Sequence, residues 1–450
     1  MTTALLDTTR RTLRRLALEK QRTGRVPGLV AGVQRRGELV WVDAVGRVSI
    51  ETERPPGPDD QFLVASNTKT FTAVMVMQLR DEGRLDLDDR VADHLAEVSH
   101  PLTVRQALAH VSGMQREPLG DIWETLEQPT AEQLLSGFAE AEQVGRPHDR
   151  WHYSNLVYAV LGEVVARLDR RSWAESLRSR LLDPLELRRT TVGFDGGPHA
   201  TGYYVPPYDD VPRPEPVMDV RAMAPCGGLA STAADLARWS AFVADPDPSV
   251  LSPDTMEEMC QPQVLRDVEG WTGGMGLGFF LARSAGGRTW VGHTGGMPGH
   301  ITGLFTHRES GTGAVVLMNS STPPDPTGFA LELGEYVVEH DPEEPEPWTP
   351  GTSIPAELAA LRGVWFSEGR PVVLSVVEGR LEAQDPALPR PRGWSAFERV
   401  DDDLYRTVRG PERGELLRVT RDERGVPVKL NWATYLVTRE PLAFGEQPGS

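Results

Sequence analysis

Ser66 and Lys69 carry the strongest chemical signal in the chain. A serine hydroxyl is a weak nucleophile until a base sits within hydrogen-bond reach. Residues three apart on a helix share a face, and Ser66-Asn67-Thr68-Lys69 opens a helical run that stops near Gly83. A serine at a helix start also has backbone N–H groups aimed at whatever binds there. Lysine can give up its proton when desolvated and arginine cannot, so a lysine at this spacing is a candidate base. Of 47 basic residues only three are lysine (Lys20, Lys69 and Lys429), which makes a chance pairing less expected. The bland alternative is a Ser66 that caps the helix and a Lys69 on the surface.

Two further segments add polar groups of the right kind. Tyr153-Ser154-Asn155 stands just before an apolar helix. A tyrosine phenol can relay a proton to a serine oxygen or a leaving group. The Asn155 amide can hold a substrate carbonyl or orient the lysine. Alone, the tripeptide reads as a packed tyrosine and a capping asparagine. His293-Thr294-Gly295-Gly296 lies at the end of an expected strand. Its glycines let a substrate backbone approach the strand edge, and a backbone N–H there, with that of Ser66, could form an oxyanion hole. Alone, it reads as a glycine turn with a solvated histidine.

In chain order, Ser-x-x-Lys, Tyr-x-Asn and His-Thr-Gly resemble the penicillin-recognising serine hydrolases: class C β-lactamases, DD-peptidases and related esterases, D-aminopeptidases and acyl or peptide-cyclising transferases. LTVRQALAHVSGM at 102–114 and CGGLASTAADLARW at 226–239 are similar to further segments of that family. The likeness covers roughly residues 20–325. It implies that Ser66 forms an acyl-enzyme, Lys69 accepts its proton and Tyr153 shuttles protons to the leaving group and the acceptor. It implies that Asn155 touches both the substrate amide and Lys69, and that Thr294, Gly295 and Gly296 bind substrate. The N–H groups of Ser66 and Gly296 would form the oxyanion hole. His293 stands where many relatives carry lysine, a variant shared with DD-peptidases and esterases, which weakens a specific claim for β-lactamase. No Gly-x-Ser-x-Gly elbow is found, so an α/β-hydrolase is not a serious rival.

Several functions remain open: a hydrolase of esters or amides, including peptides with D-residues; an acyl-transferase or peptide cyclase; a β-lactamase or DD-peptidase; or a non-catalytic binding protein. No cofactor is expected. His148 and His152 are four apart without a third ligand of suitable spacing, so no metal is expected. His110, His300 and His307 read as structural or solvated. The expected partner is a small-molecule or peptide substrate, and the sequence leaves the oligomeric state open.

The elements that must position these residues follow from pattern. Residues 28–46 read as two strands around a turn at Arg35–Gly37, and 288–319 as a meander, with mostly helical segments between. The expected fold class is α/β, a β-lactamase/transpeptidase-like fold with a mostly antiparallel sheet and a helical subdomain. Leu5, Leu6, Leu13, Leu16 and Leu18 suggest an amphipathic N-terminal helix. Residues 1–339 form the expected hydrolase domain, and the Pro-rich, acidic run 340–355 the linker. Short alternating strands over 356–442 resemble a small lipocalin-like β-barrel, a specificity wall or a stabilising appendage. The formal net charge of −18 argues against nucleic acid and anionic membranes as partners. Arginines 10, 11, 14 and 15 interrupt any apolar leader, and no run of about 18 apolar residues occurs. Cys226 and Cys260 suit a reducing compartment, and the cytoplasm is the expected location.

Overall fold

The computed structural model describes residues 4–322, 324–344, 347–389 and 393–446. The chain divides into two compact units, Met1–Glu343 and Glu344–Ser450.

The first unit opens with α1 (Asp7–Thr23), followed by the hairpin β1 (Gly28–Arg35) and β2 (Glu38–Gly46). After α2 (Thr68–Asp81) come α3 (Asn155–Asp169) and α4 (Ala233–Ala244), with shorter helices between them. Six strands then complete the sheet: β3 (Val264–Leu265), β4 (Gly273–Met275), β5 (Phe280–Arg283), β6 (Thr289–Met297), β7 (His300–His307) and β8 (Thr312–Met318). Helix α5 (Pro326–His340) follows. The strand order is β2-β1-β8-β7-β6-β5-β4-β3, and every pairing is antiparallel.

Side chains of successive strand residues point to opposite faces, and here each face meets its own core. Leu29, Ala31, Val33, Ala314, Val316 and Met318 join one cluster with Leu13 and Ala17 of α1 and Phe329 and Leu333 of α5. Val30, Val315 and Leu317 join the other, with Phe71 and Val74 of α2 and Trp239 of α4. That double burial explains why β1 reads as a near-continuous apolar run. In α1 the buried positions are Thr9, Leu13 and Ala17, four residues apart. Leu6 and Leu18, expected on the packed face, point to solvent instead, because 100° per residue carries position 18 away from the 9-13-17 stripe.

Helix α2 is buried all round from Thr68 to Leu79. Its polar side chains are matched: Thr72 donates to Pro225 O at 2.7 Å, Gln78 to Val250 O at 2.8 Å, and Trp239 Nε1 donates to Thr70 Oγ1 at 3.0 Å. A lysine on this helix is therefore an interior lysine. The proline-rich run begins inside the first unit: Asp341 accepts from Leu6 N at 2.7 Å, and Glu343 pairs with Arg36 at 2.8 Å.

The second unit is a closed barrel of eight strands: β9 (Gly363–Ser367), β10 (Arg370–Val377), β11 (Arg380–Gln384), β12 (Trp394–Asp401), β13 (Leu404–Arg409), β14 (Leu416–Arg421), β15 (Pro427–Trp432) and β16 (Tyr435–Thr438). Each pairs antiparallel with the next, and β16 returns to β9. Trp365, Leu374, Leu381, Phe397, Tyr405 and Leu430 fill its interior.

Candidate active site

Ser66 sits in a single 3-10 turn, Ala65–Asn67, that runs into α2. Ala65 takes φ +48°, a left-handed backbone that costs a non-glycine residue about 1 kcal/mol. The turn is held from two directions. Val64 N donates to Leu229 O at 2.8 Å, and Asn67 Nδ2 donates to Thr302 Oγ1 of β7 at 2.8 Å.

One helical step on, the fully buried Lys69 places Nζ 3.0 Å from Ser66 Oγ. The same nitrogen donates to Asn155 Oδ1 at 2.8 Å and to the carbonyl of Cys226 at 2.6 Å. The donor count is informative. An ammonium has three N–H donors, one for each of these acceptors. Asn155 Oδ1 and Cys226 O can only accept, whereas the Ser66 hydroxyl also carries a hydrogen of its own. Of the three contacts, the one to Ser66 alone can reverse its direction when the nitrogen gives up a proton.

Asn155 is the first residue of α3, whose cap is Ser154: its Oγ accepts from Val157 N at 3.3 Å. Serine, not asparagine, caps this helix, so the Asn155 amide is free to face the site. Its Nδ2 donates to Glu117 Oε1 at 2.7 Å, and this fixes which end of the amide meets Lys69. Tyr153, extended just before the cap, is 9% exposed. Lys69 Nζ lies 4.9 Å from its ring centroid, and the His110 ring packs on it at 4.3 Å. His110 is itself buried, accepts from Ser154 N at 3.1 Å, and is held well below the usual imidazole range by burial and by the Lys69 charge.

His293 lies in the middle of β6, not at its end, since the strand continues to Met297. It is 1% exposed and stacks on Phe280 at 3.9 Å. Burial, and then the charge of Lys69, push its pKa down to about 3. Nδ1 is 2.5 Å from the Thr294 carbonyl, so that nitrogen carries the hydrogen and Nε2 is left as an acceptor with no partner among the described residues. The expected solvated histidine is thus an interior, neutral one.

Strand β5 pairs with β6 only as far as Gly292. Residues 293–297 pair with β7 on one side alone, and the Ser66 turn packs against β6. Gly295 makes that approach close: a Cβ there would fall 2.1 Å from Val64 O. Ser66, Asn155 and Gly296 line one small cavity of about 50 Å³, together with Glu117, Trp123, Met218, Met223 and Met297. Larger clefts of about 510 to 550 Å³ exist, but none is lined by Ser66, Lys69, Tyr153 or His293.

The sequence reading missed four contributors. Glu117 follows Arg116 in a loop, and such a charged pair reads as solvated. The Cys226 carbonyl is a backbone atom and leaves no mark on residue type. Phe280 and Arg266 come from the far end of the sheet; the Arg266 guanidinium lies 3.9 Å over the Phe280 ring. Among the described residues no group of three or more His, Cys, Asp or Glu side chains is placed to hold a metal ion. No helix among them is long and apolar enough to cross a membrane.

Comparison with known proteins gives the family. The Beta-lactamase family model matches residues 13–335, and a domain of unknown function (DUF7586) matches 354–439. Penicillin-binding protein 4 of Amycolatopsis lactamdurans is 31% identical over 76% of this chain and 94% of its own length. Beta-lactamase-like protein 2 of Dictyostelium discoideum is 28% identical over 53% of this chain and 46% of its own. Among solved structures, the octameric penicillin-binding protein homologue from Pyrococcus abyssi has a TM-score of 0.66 at 23% identity, covering 96% of this chain and all of that one. A D-stereospecific amidohydrolase from Streptomyces sp. has a TM-score of 0.62 at 26% identity, covering 72% of this chain and 98% of that one. With the family model spanning most of the first unit, the chain belongs to the Beta-lactamase family, whose members are serine hydrolases.

Proposed function

We propose that this protein hydrolyses an ester or amide through an acyl-enzyme on Ser66. The observation that carries the reading is the buried Lys69 amine, 3.0 Å from Ser66 Oγ with two pure acceptors on its remaining donors.

Ser66 Oγ attacks the substrate carbonyl carbon, and its proton passes to Lys69 Nζ. The carbonyl oxygen gains charge and is met by the N–H groups of Ser66 and Gly296, donors fixed before the reaction starts. The tetrahedral intermediate collapses, the bond to the leaving group breaks, and Tyr153 hands that group a proton, replenished from Lys69. Water then attacks the acyl-enzyme carbonyl and gives its proton back through the same pair. The acid departs and Ser66 Oγ–H is restored. Thr294 and Gly295 present the β6 edge to the substrate backbone. His293, neutral and with Nε2 unpartnered, accepts a hydrogen bond and holds no charge against the substrate.

The likeness to a D-stereospecific amidohydrolase at 26% identity supports an amide of a D-residue as the substrate class. The test is intact-mass spectrometry after incubation with a penicillin, a fluorophosphonate and a short-chain p-nitrophenyl ester. Wild type is expected to gain an adduct that Ser66→Ala does not. An adduct of equal yield on the variant, or none on wild type with any probe, removes this reading.

A further inference from the structure

Three donors converge on one backbone oxygen beside the Ser66 turn. Val64 O accepts from Asn67 N at 3.1 Å, from Asn67 Nδ2 at 3.2 Å and from Thr302 Oγ1 at 3.2 Å. Asn67 Nδ2 also donates to Thr302 Oγ1 at 2.8 Å, which closes a triangle of Val64, Asn67 and Thr302. The triangle uses both amide hydrogens of Asn67 and the single hydroxyl hydrogen of Thr302. Asn67 and Thr302 are 1% and 0% exposed. Asn67 Oδ1, by contrast, is buried without a partner among the described residues. A buried acceptor left unpaired works against folding, so the contribution of this side chain lies in its N–H end.

Thr302 reaches the turn through a gap in β6. It stands opposite Gly295 in the register of β6 and β7. A Cβ on Gly295 would fall 2.7 Å from Thr302 Oγ1 and 2.1 Å from Val64 O. The missing side chain leaves the space in which hydroxyl and carbonyl meet. Val64 stands two residues before Ser66, and Gly295 one before Gly296. Strand β7 thus holds β6 by its ladder and the turn by this hydroxyl. Ala65, between Val64 and Ser66, is kept at φ +48°. Without an anchor at Val64, the turn could relax out of that strained backbone and carry the Ser66 N–H with it.

Building on the hydrolase reading above, we propose that Thr302 is a positioning residue. Acting through Val64 and Asn67, it sets the spacing between the N–H groups of Ser66 and Gly296, the two donors to the oxyanion.

The test compares Thr302→Val, which keeps the shape and removes the hydroxyl, with Thr302→Ser, which keeps the hydroxyl. In Thr302→Val, kcat for p-nitrophenyl butyrate is expected to fall about 100-fold, the effect of a misplacement near 1 Å, with KM within about threefold of wild type. Inhibition by phenylboronic acid, which forms a tetrahedral adduct on a serine oxygen, should weaken by a similar factor. The pH profile of kcat should keep its midpoint, because Lys69 retains its three contacts. Thr302→Ser should stay near wild type. If circular dichroism finds Thr302→Val unfolded, Asn67→Ala cuts the same junction from the turn and is expected to show the same pattern. Wild-type kcat in the folded variant, a loss confined to KM, a shifted midpoint or an equal loss in Thr302→Ser would each overturn the assignment, while wild-type turnover leaves the hydrolase reading standing. No ester turnover and no Ser66 adduct in wild type would remove the hydrolase reading, and this one with it.

Discussion

The first unit holds two strongly polar clusters, and they are built on opposite plans. Asp169, at the end of α3, is surrounded by opposite charge: Arg180 at 2.6 Å, Arg84 at 2.8 Å and Arg171 at 3.3 Å. Glu82 closes the network with Arg180 at 2.6 Å. Burial works against the ionised carboxylate, and the bonds from Arg180 and Arg84 outweigh it, so its pKa is held far below the usual range. Lys69, at the start of α2, has a hydroxyl, an amide oxygen and a peptide carbonyl, and among the described residues no carboxylate ion-pairs with it. The saturated cluster has nothing left to exchange and serves stability. On the hydrolase reading proposed above, the unsaturated one keeps a proton in play between nitrogen and oxygen. A buried ionisable group is structural when its partners settle its charge, and reactive when they settle only its position.

The contrast can be broken most directly at Lys69. Lys69→Arg keeps the charge and removes the capacity to release it, so kcat should fall by about 1,000-fold, in the range of a lost general base. Steady-state ester hydrolysis reads this, with circular dichroism to verify folding; retained activity would make Lys69 an electrostatic group only. Asp169→Asn should do the reverse. It leaves three guanidiniums without their shared partner and should cost about 3 kcal/mol in urea unfolding, with kcat intact. Gly295→Ala sharpens the comparison from a third side. A methyl group 2.1 Å from Val64 O must push β6 away from the Ser66 turn, and a displacement near 1 Å should cost about 100-fold in kcat. Wild-type kcat in this variant would mean that the edge of β6 takes no part.

The smallest effect separates the clusters by pH. His293 and His300 are both pushed down to about 3 by burial, from an ordinary 6.5. The unfolded chain therefore binds protons that the folded one refuses, and stability falls as pH drops from 6.5 toward 3. The contribution of Asp169 is complete above its unfolded value of 3.8 and is lost only below that. Between pH 6 and 4.5 the histidines should dominate this loss among these groups. The slope of unfolding free energy against pH, measured by urea titration, should flatten by up to one proton in His293→Phe. An unchanged slope would place His293 outside the acid response.

What the sequence made legible follows the same division. Ser66, Lys69, Tyr153, Asn155 and His293 stand out because their side-chain chemistry is special and their neighbours are not. The hairpin at 28–46 was readable because Gly37, at φ +90°, marks a tight turn between two apolar runs. Glu117 and Arg266 were invisible because loops bring them in and charged loop residues are ordinary. The N-terminal helix was readable as a helix but not in its facing, since Leu18 looks apolar and lies outside. The inward place of His293 depends on the ring of Phe280, from the neighbouring strand, that pattern alone does not assign.

The half-paired stretch of β6 has a further consequence. An exposed strand edge invites other chains to add themselves, and proteins ordinarily blunt such edges with charge, proline or cover. Here residues 293–297 carry neither charge nor proline until Met297. The Ser66 turn packs close beside them at Gly295, where a Cβ would fall 2.1 Å from Val64 O. On the hydrolase reading proposed above, an edge that invites an added chain and a slot for one extended ligand are the same piece of backbone. Compounds that stretch along this slot should act as inhibitors whatever their side chains, because what they match is the hydrogen-bond spacing of a missing neighbour.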